Sequence, residues 1–146
     1  RVVGMIPALA NAEFVRYGVM HRNTYLSSAG RLNANFRFAG ENKLYAAGQL
    51  TGVEGYVESI MSGLVAAVSL ARESEGKEAA LPPETTVTGA LCRYVASAGT
   101  DAQPMNANFR LLPSAADVGK KERKKYYHER ALRDIIRFVR ETGFSD

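Results

Sequence analysis

The sequence predicts an α/β fold, because an apolar segment, a glycine-rich turn and a helical pattern of small residues follow one another. The apolar segment, Leu44 to Ala47, has the length and composition of a short, fully buried strand. The turn follows at once in "LYAAGQLTGVEGYVES", where Gly48, Gly52 and Gly55 precede the helical periodicity. A strand that leads through a tight turn into a helix is the basic unit of α/β domains.

Length and composition are those of a soluble globular domain with one core. The chain has 146 residues, of which 46% are hydrophobic and 23% charged. Its first ten residues lack an initiator methionine and are interrupted by Gly4 and Pro7, so we expect a piece of a longer chain, with neither a signal peptide nor a membrane span. The single cysteine, Cys92, cannot form an internal disulfide or a cysteine zinc cage, which suits a cytoplasmic protein without a metal site.

The segment before the predicted strand has a mixed pattern. "EFVRYGVMHRNTYL" alternates in part but contains Gly18, which predicts extended chain or a bent strand with a functional loop near Met20–Thr24. Further on, Phe36 and Phe38 are predicted to share one strand face, and "AGEN" supplies turn residues before Leu44.

Three helices are predicted after the glycine turn. The first runs from Glu54 to Arg72, with Gly76 as its C-terminal cap, and the second from about Thr86 to Ser97. A long loop follows, and the third helix runs from about Asp117 to Thr142. Residues spaced three and four apart are expected to face inward: Val57, Ile60, Met61, Leu64, Val65, Val68 and Ala71 in the first helix, Val87, Leu91, Tyr94 and Val95 in the second, and Tyr127, Ala131, Ile135, Phe138 and Val139 in the third.

The net charge of +4 comes entirely from the last helix. Residues 117–142 contain nine Lys and Arg against five acids, and the remaining residues balance to zero. The densest part is "KKERKK", Lys120 to Lys125, which suits a polyanion surface. Basic residues on a solvated helix face are the alternative.

The glycines of the turn permit a ligand to approach the backbone. A helix N-terminus exposes N–H groups and a positive dipole end, and glycine removes the side chain that would hold a phosphate or a planar cofactor away. The same pattern also occurs at a tight packing corner without a ligand. No G-x-G-x-x-G and no phosphate-loop motif is present in the chain.

"YAAGQLTGVEGYVESIMSGLVAAVSLAR" resembles the last strand and helix of the FAD domain in tRNA-modifying flavoproteins of the GidA type. "AEFVRYGVMHRNTYL" and "QPMNANF" are similar to one branch of that family, the folate- and FAD-dependent tRNA (uracil-5-)-methyltransferases called TrmFO. The resemblance implies the C-terminal part of a Rossmann-like FAD-binding domain of the two-dinucleotide-fold type. Residues 1–30 would end an insertion or substrate region, 31–80 would close the FAD domain, and 81–146 would form a helical C-terminal extension with a basic last helix.

The resemblance also implies an activity. Enzymes of this family reduce the methylene group of methylenetetrahydrofolate with reduced FAD, use NAD(P)H as the reductant, and place the methyl group on C5 of a T-loop uridine in tRNA. Their cysteine nucleophiles lie upstream, so no catalytic residue is expected here and this chain alone should be inactive. Its expected partners are tRNA, the N-terminal portion of the same protein and a second copy of the chain. A GidA-type wobble-uridine enzyme and a tRNA- or partner-binding module remain alternatives.

Three groups of candidate site residues follow from the resemblance and the charge pattern. The FAD contacts would be Gly48, Gln49, Gly52, Gly55 and Tyr56. The folate and flavin rings would be held by His21, Arg22 and Asn23, with His21 stacked on the pterin, although His21 and Arg22 could instead stabilise a bent strand. The tRNA backbone contacts would be Lys120, Lys121, Arg123, Lys124 and Lys125. For Glu54 and Glu58 we expect helix capping, for Asn106 and Asn108 either tight turns or a loop at the flavin or tRNA entrance, and for Cys92 packing.

Overall fold

A computed structural model describes residues 2–13, 24–28, 30–97 and 103–142, and three α-helices form its framework. They are α1 (Tyr56–Ser74), α2 (Val87–Ser97) and α3 (Arg123–Thr142). Short 3₁₀ turns span Val3–Met5, Pro7–Leu9, Gly48–Thr51 and Phe109–Leu111. None of the helices in these ranges is long and apolar enough to cross a membrane.

The predicted strand over Leu44–Ala47 is wrong for this structure. Tyr45 forms one antiparallel bridge with Arg37, and the described residues contain isolated bridges but no strand. Ala46 is buried, whereas Leu44 is half-exposed. A strand requires a ladder with neighbouring strands, and one bridge satisfies only a single residue pair.

The shared strand face of Phe36 and Phe38 is also wrong. Phe36 has a φ of 65°, in the left-handed region, and its side chain is fully buried. Its N–H donates to the carbonyl of Asn33 (2.8 Å), which closes a turn. Burial of the ring therefore holds the backbone in a conformation that a non-glycine residue rarely adopts.

The core lies between α1, α2 and the irregular segment that precedes α1. Its buried members are Leu32, Phe36, Ala46, Val53, Val65, Ala66, Leu91, Cys92 and Val95. The irregular segment is fixed to α1 by one carboxylate, because Glu73 accepts hydrogen bonds from Tyr45 Oη (2.6 Å), Asn35 Nδ2 (3.3 Å) and Arg37 Nη1 (3.3 Å).

Helix α1 begins and ends two residues later than predicted, and it buries a different face. Val65 is buried as expected, whereas Val57, Ile60 and Leu64 are 63–76% exposed. The buried positions also include Ser62, Ala66 and Ser69, because small side chains let the preceding segment approach the helix closely. The predicted cap is confirmed: Gly76 has a φ of 74° and donates to Glu73 O (3.1 Å).

Helix α2 agrees with the prediction, and Leu91 and Val95 face the core. Thr86 precedes the helix and its Oγ1 accepts from Gly89 N–H (3.0 Å), a typical N-terminal cap. A Cβ at Gly89 would collide with the backbone carbonyls of Pro82 and Pro83. Glycine at this position therefore permits α2 to pack directly on the "LPPE" segment.

Helix α3 begins at Arg123, six residues later than predicted, after a series of turns. Its most buried side chains are Arg130 and Asp134, whereas the predicted apolar stripe is only partly buried. The Arg130 guanidinium lies over the rings of Tyr126 and Tyr127 and donates to Pro113 O (3.0 Å). Cation–π contacts and this hydrogen bond thus add to the partly buried apolar stripe along the helix.

Candidate functional site

The glycine turn is built from residues that adopt left-handed backbone conformations. Gly48, Gly52 and Gly55 have φ angles of 70°, 86° and 95°. The 3₁₀ turn Gly48–Thr51 precedes α1, and Gly55 is the N-cap residue of the helix. No side chain makes a capping hydrogen bond at this position, although the Glu58 carboxylate lies against Gly55, where an added Cβ would collide with it.

Ser62 fixes this turn to α1. Its Oγ accepts a hydrogen bond from Gly48 N–H and donates to Ser59 O, both at 2.7 Å, and its side chain is fully buried. Thr51, also fully buried, donates from Oγ1 to Gly48 O (2.8 Å). Ser62 could not be singled out from the sequence, because a buried serine in a helix of small residues gives no separate signal.

The "QPMNANF" loop, residues 103–109, packs directly on the glycine turn. Met105 N–H donates to Gly52 O (2.9 Å), and Glu54 N–H donates to Met105 O (3.0 Å), around a parallel bridge between Val53 and Met105. Asn108 caps the next turn by accepting from Arg110 N–H (3.0 Å). The tight-turn role of Asn108 is therefore present, and the loop is also part of the same site as the glycines.

Glu58 connects the first turn of α1 to that loop. Its Oε1 accepts from Ala107 N–H (3.1 Å), and it is the acidic residue of the first helical turn. Glu54 lies two residues before the helix begins. Two carboxylates at this end of α1 reduce the attraction of the helix dipole for an anion.

Two candidate FAD contacts present their side chains to the surface. Gln49 is exposed and Tyr56 is 89% exposed. Two of the glycines have committed N–H groups, since Gly48 donates to Ser62 and Gly52 donates to Gln49 O (3.1 Å). Within the described residues, the Oγ of Ser59 is buried without a hydrogen-bond partner. The surface around the turn thus offers an amide, a phenol ring and the start of α1.

His21, Arg22 and Asn23 lie outside the described residues. The segment that follows them does contact the glycine turn, because Leu26 N–H donates to Leu50 O (2.8 Å). The stacking role of His21 stays a prediction.

The five predicted tRNA contacts do not share one environment. Lys120 and Lys121 are exposed in the turns before α3, and Lys124 and Lys125 are exposed in its first turn. Arg123 instead donates from its guanidinium to Val118 O (3.2 and 3.4 Å). Arg123 therefore stabilises the entry to α3 and has fewer donors left for a ligand.

Cys92 is a core residue. Its side chain is fully buried in α2, and burial raises the pKa of the thiol to about 12. A thiol with this pKa is almost entirely protonated at neutral pH and is a poor nucleophile. The packing role expected from the sequence agrees with this position.

The described residues contain no group of three or more His, Cys, Asp and Glu side chains that could hold a metal ion. The arrangement around the glycine turn instead consists of backbone groups, an amide, a phenol ring and the carboxylates of Glu54 and Glu58, and polar groups of this kind orient organic ligands.

Comparison with known proteins supports the family resemblance. The sequence model described as glucose-inhibited division protein A matches residues 1–78, which include the whole glycine turn and α1. The chain belongs to the glucose-inhibited division protein A family. Within this family, the resemblance to the TrmFO branch is confirmed by curated relatives.

Three relatives illustrate the similarity. The methylenetetrahydrofolate–tRNA-(uracil-5-)-methyltransferase TrmFO of Streptococcus gordonii is 50% identical over 145 residues, covering 95% of this chain and 32% of the relative. The TrmFO of Natranaerobius thermophilus is 50% identical over 141 residues, covering 95% and 33%, and that of Streptococcus sanguinis 52% over 141 residues, covering 92% and 31%. The chain thus spans about a third of the length of the relatives it matches.

Proposed function

We propose that this chain is the C-terminal portion of a folate- and FAD-dependent enzyme that methylates C5 of a T-loop uridine in tRNA. The observation that carries the proposal is an identity of about half over 95% of the chain to proteins named methylenetetrahydrofolate–tRNA-(uracil-5-)-methyltransferase. The chain would contribute part of the FAD site and of the tRNA surface. The cysteine nucleophiles, the dinucleotide fingerprint and the strands of a Rossmann-like sheet would come from the rest of the protein.

The surface around the glycine turn is better suited to bind the edge of a flavin ring than a pyrophosphate. Glu54 and Glu58 place two carboxylates at the start of α1, and these repel phosphate oxygens. A neutral isoalloxazine edge has carbonyl and N–H groups that Gln49 and the uncapped N–H groups near Gly55 can pair with. Glycine at position 55 leaves room for the Glu58 carboxylate, and the exposed Tyr56 offers a ring against which the cofactor can pack.

The exposed face of α1 supports a contact with the rest of the protein. Val57, Ile60 and Leu64 lie three or four residues apart, and Tyr56 lies four residues before Ile60. The four side chains are 63–89% exposed and form one apolar stripe. Contiguous apolar surface of this kind is normally covered. In our proposal the upstream portion of the same protein covers it, and copies of the isolated chain would associate through it.

Bound reduced flavin would supply the hydride that converts the folate methylene group to a methyl group, with NAD(P)H as the source of reducing equivalents. The task of this chain is positioning. His21 would stack on the pterin, and Arg22 and Asn23 would bind its polar edge or a phosphate. The exposed lysines from Lys120 to Lys125 would hold the tRNA backbone.

The test uses the full-length protein with unmodified tRNA, FAD, NADH and methylenetetrahydrofolate, and nucleoside mass spectrometry as the assay. Ribothymidine that forms only in the presence of the folate supports the proposal. Bound flavin without ribothymidine contradicts it and favours wobble-uridine modification, for which the same digest is examined at the anticodon. Binding of tRNA without flavin retention favours a binding module.

A further inference from the structure

Helix α3 carries a second set of cations, separate from the lysine run at its start. Arg133, Arg137 and Arg140 are spaced at i, i+4 and i+7, which places them on one face of the helix. All three are exposed, with 70% of the Arg133 side chain and 65% of the Arg137 side chain accessible. Seven Lys and Arg against three acids occur within α3 itself.

These arginines line a groove. An open depression of about 530 Å³ is bounded by Arg133, Ile136, Arg137, Arg140 and Glu141. Three guanidinium groups and one carboxylate give its lining a net charge of +2. Ile136, 43% exposed, provides apolar surface between the charges. The groove therefore combines anion-binding groups with a surface on which a sugar can rest.

A buried carboxylate orients two of the arginines. Asp134 is 6% exposed, and its Oδ1 accepts from Arg133 Nε (3.3 Å) and Arg137 Nη2 (3.4 Å), while its Oδ2 accepts from Thr85 Oγ1 (2.7 Å). A guanidinium has five N–H donors, so one bond to Asp134 leaves the others for a ligand. Arginines held in this way lose less side-chain entropy when they bind an anion.

We propose that the face of α3 formed by Arg133, Ile136, Arg137 and Arg140 binds the phosphodiester backbone of tRNA. The inference rests on the proposed function, from which it takes the nucleic acid as the partner. From Arg133 to Arg140 the helix rises about 10 Å, which matches roughly two or three phosphates along a strand. Guanidinium groups bind phosphate with two parallel hydrogen bonds, whereas lysines act as point charges. This face therefore fixes the orientation of the RNA, and the lysine run adds general attraction.

The test measures tRNA binding by the full-length protein as a function of salt, for the wild type and for Arg140→Gln, which leaves the Asp134 cluster intact. Arg140→Gln is expected to weaken binding roughly three- to tenfold and to lower the slope of log affinity against log salt by about one. Arg140→Lys should recover much of the affinity and the slope. Arg31→Gln, at an exposed arginine outside α3, is the charge-matched control and should retain wild-type binding.

An Arg140→Gln protein with the wild-type dissociation constant and slope overturns the proposal and assigns the groove to another partner, such as an acidic protein surface. Equal losses in Arg140→Gln and Arg31→Gln also overturn it, since they indicate only a general charge effect. Ribothymidine formation is measured in the same preparations. If the wild type binds tRNA but makes no ribothymidine, the proposed function fails, and the salt slopes still decide whether this face contacts RNA.

Discussion

Replacement of Ser62 by alanine tests whether one hydroxyl holds the glycine turn on α1. The change removes the acceptor of Gly48 N–H and the donor to Ser59 O, both at 2.7 Å, inside a fully buried environment. A donor left without a partner costs about 1–3 kcal/mol. We expect a free energy of unfolding lower by about 2 kcal/mol and faster amide exchange at Gly48.

Ser69→Ala is the matched control. Ser69 lies two turns further along the same face of α1 and is also fully buried, but its Oγ has no hydrogen-bond partner among the described residues. Both changes gain the same helix propensity, so the difference between them isolates the hydrogen bonds. Ser69→Ala should be neutral or stabilising, because it removes an unsatisfied buried hydroxyl.

The assay is chemical denaturation of the full-length protein, with hydrogen exchange and mass spectrometry over the peptide that contains Gly48. FAD affinity is measured in the same variants. Ser62→Ala should release flavin more readily than Ser69→Ala if the turn forms part of the flavin site. Equal stability and equal exchange in the two variants would refute the role assigned to Ser62.

Three further predictions follow from the core. Gly89→Ala should lower the free energy of unfolding by about 1–3 kcal/mol or more, because the added Cβ collides with backbone carbonyls. Gly119→Ala is the control, since a Cβ there meets nothing within 4 Å, and it should not destabilise the protein. Melting temperatures that fall equally in the two variants would contradict this prediction. Cys92 should resist alkylation in the native protein and react after unfolding, as mapped by mass spectrometry, and rapid native labelling would oppose its burial. Burial and then the Glu73 carboxylate raise the pKa of Tyr45 from 10.0 to about 12, so its contribution to stability is complete below pH 10 and is lost as pH rises through 12. Tyr45→Phe should therefore flatten the alkaline loss of stability in denaturation curves, and an unchanged pH profile would contradict the shift.

The helices could be predicted because each has a local signal. Small and apolar residues at helical spacing identified α1, and Gly76 marked its end. The "LPPE" segment and the periodicity after it placed α2. Local spacing cannot show which side of such a stripe is buried: Ile60 and Val65 both belong to the predicted inward set, yet Ile60 is exposed and Val65 is buried. The choice depends on the segment that packs across the helix, which lies elsewhere in the chain.

The prediction of a strand was wrong for a related reason. Leu44 to Ala47 has strand composition, but pairing depends on residues elsewhere in the chain. Among the described residues this segment forms one bridge, between Tyr45 and Arg37. The candidate site was predicted in part. Glycine composition located the turn, whereas the hydroxyl of Ser62 and the backbone pairing with Met105 depend on tertiary contacts and could not be seen in the sequence.

The groove on α3 could not be predicted from the sequence either. The run "KKERKK" was predicted to bind tRNA because its charges are adjacent in the sequence. In the structure, however, the Arg123 guanidinium of that run donates to Val118 O. Arg133 and Arg140 stand apart in sequence and come together only through the helical repeat.

We propose that this chain completes a folate-dependent tRNA methyltransferase, and isotope tracing tests this proposal most directly. The full-length protein is incubated with FAD, NADH, unmodified tRNA and methylenetetrahydrofolate whose methylene carbon is labelled. Ribothymidine is then isolated, and its mass is measured by mass spectrometry. If the proposal is correct, we expect the label to enter the C5 methyl group of ribothymidine. Ribothymidine without the label, or no ribothymidine from a protein that retains flavin, would contradict it.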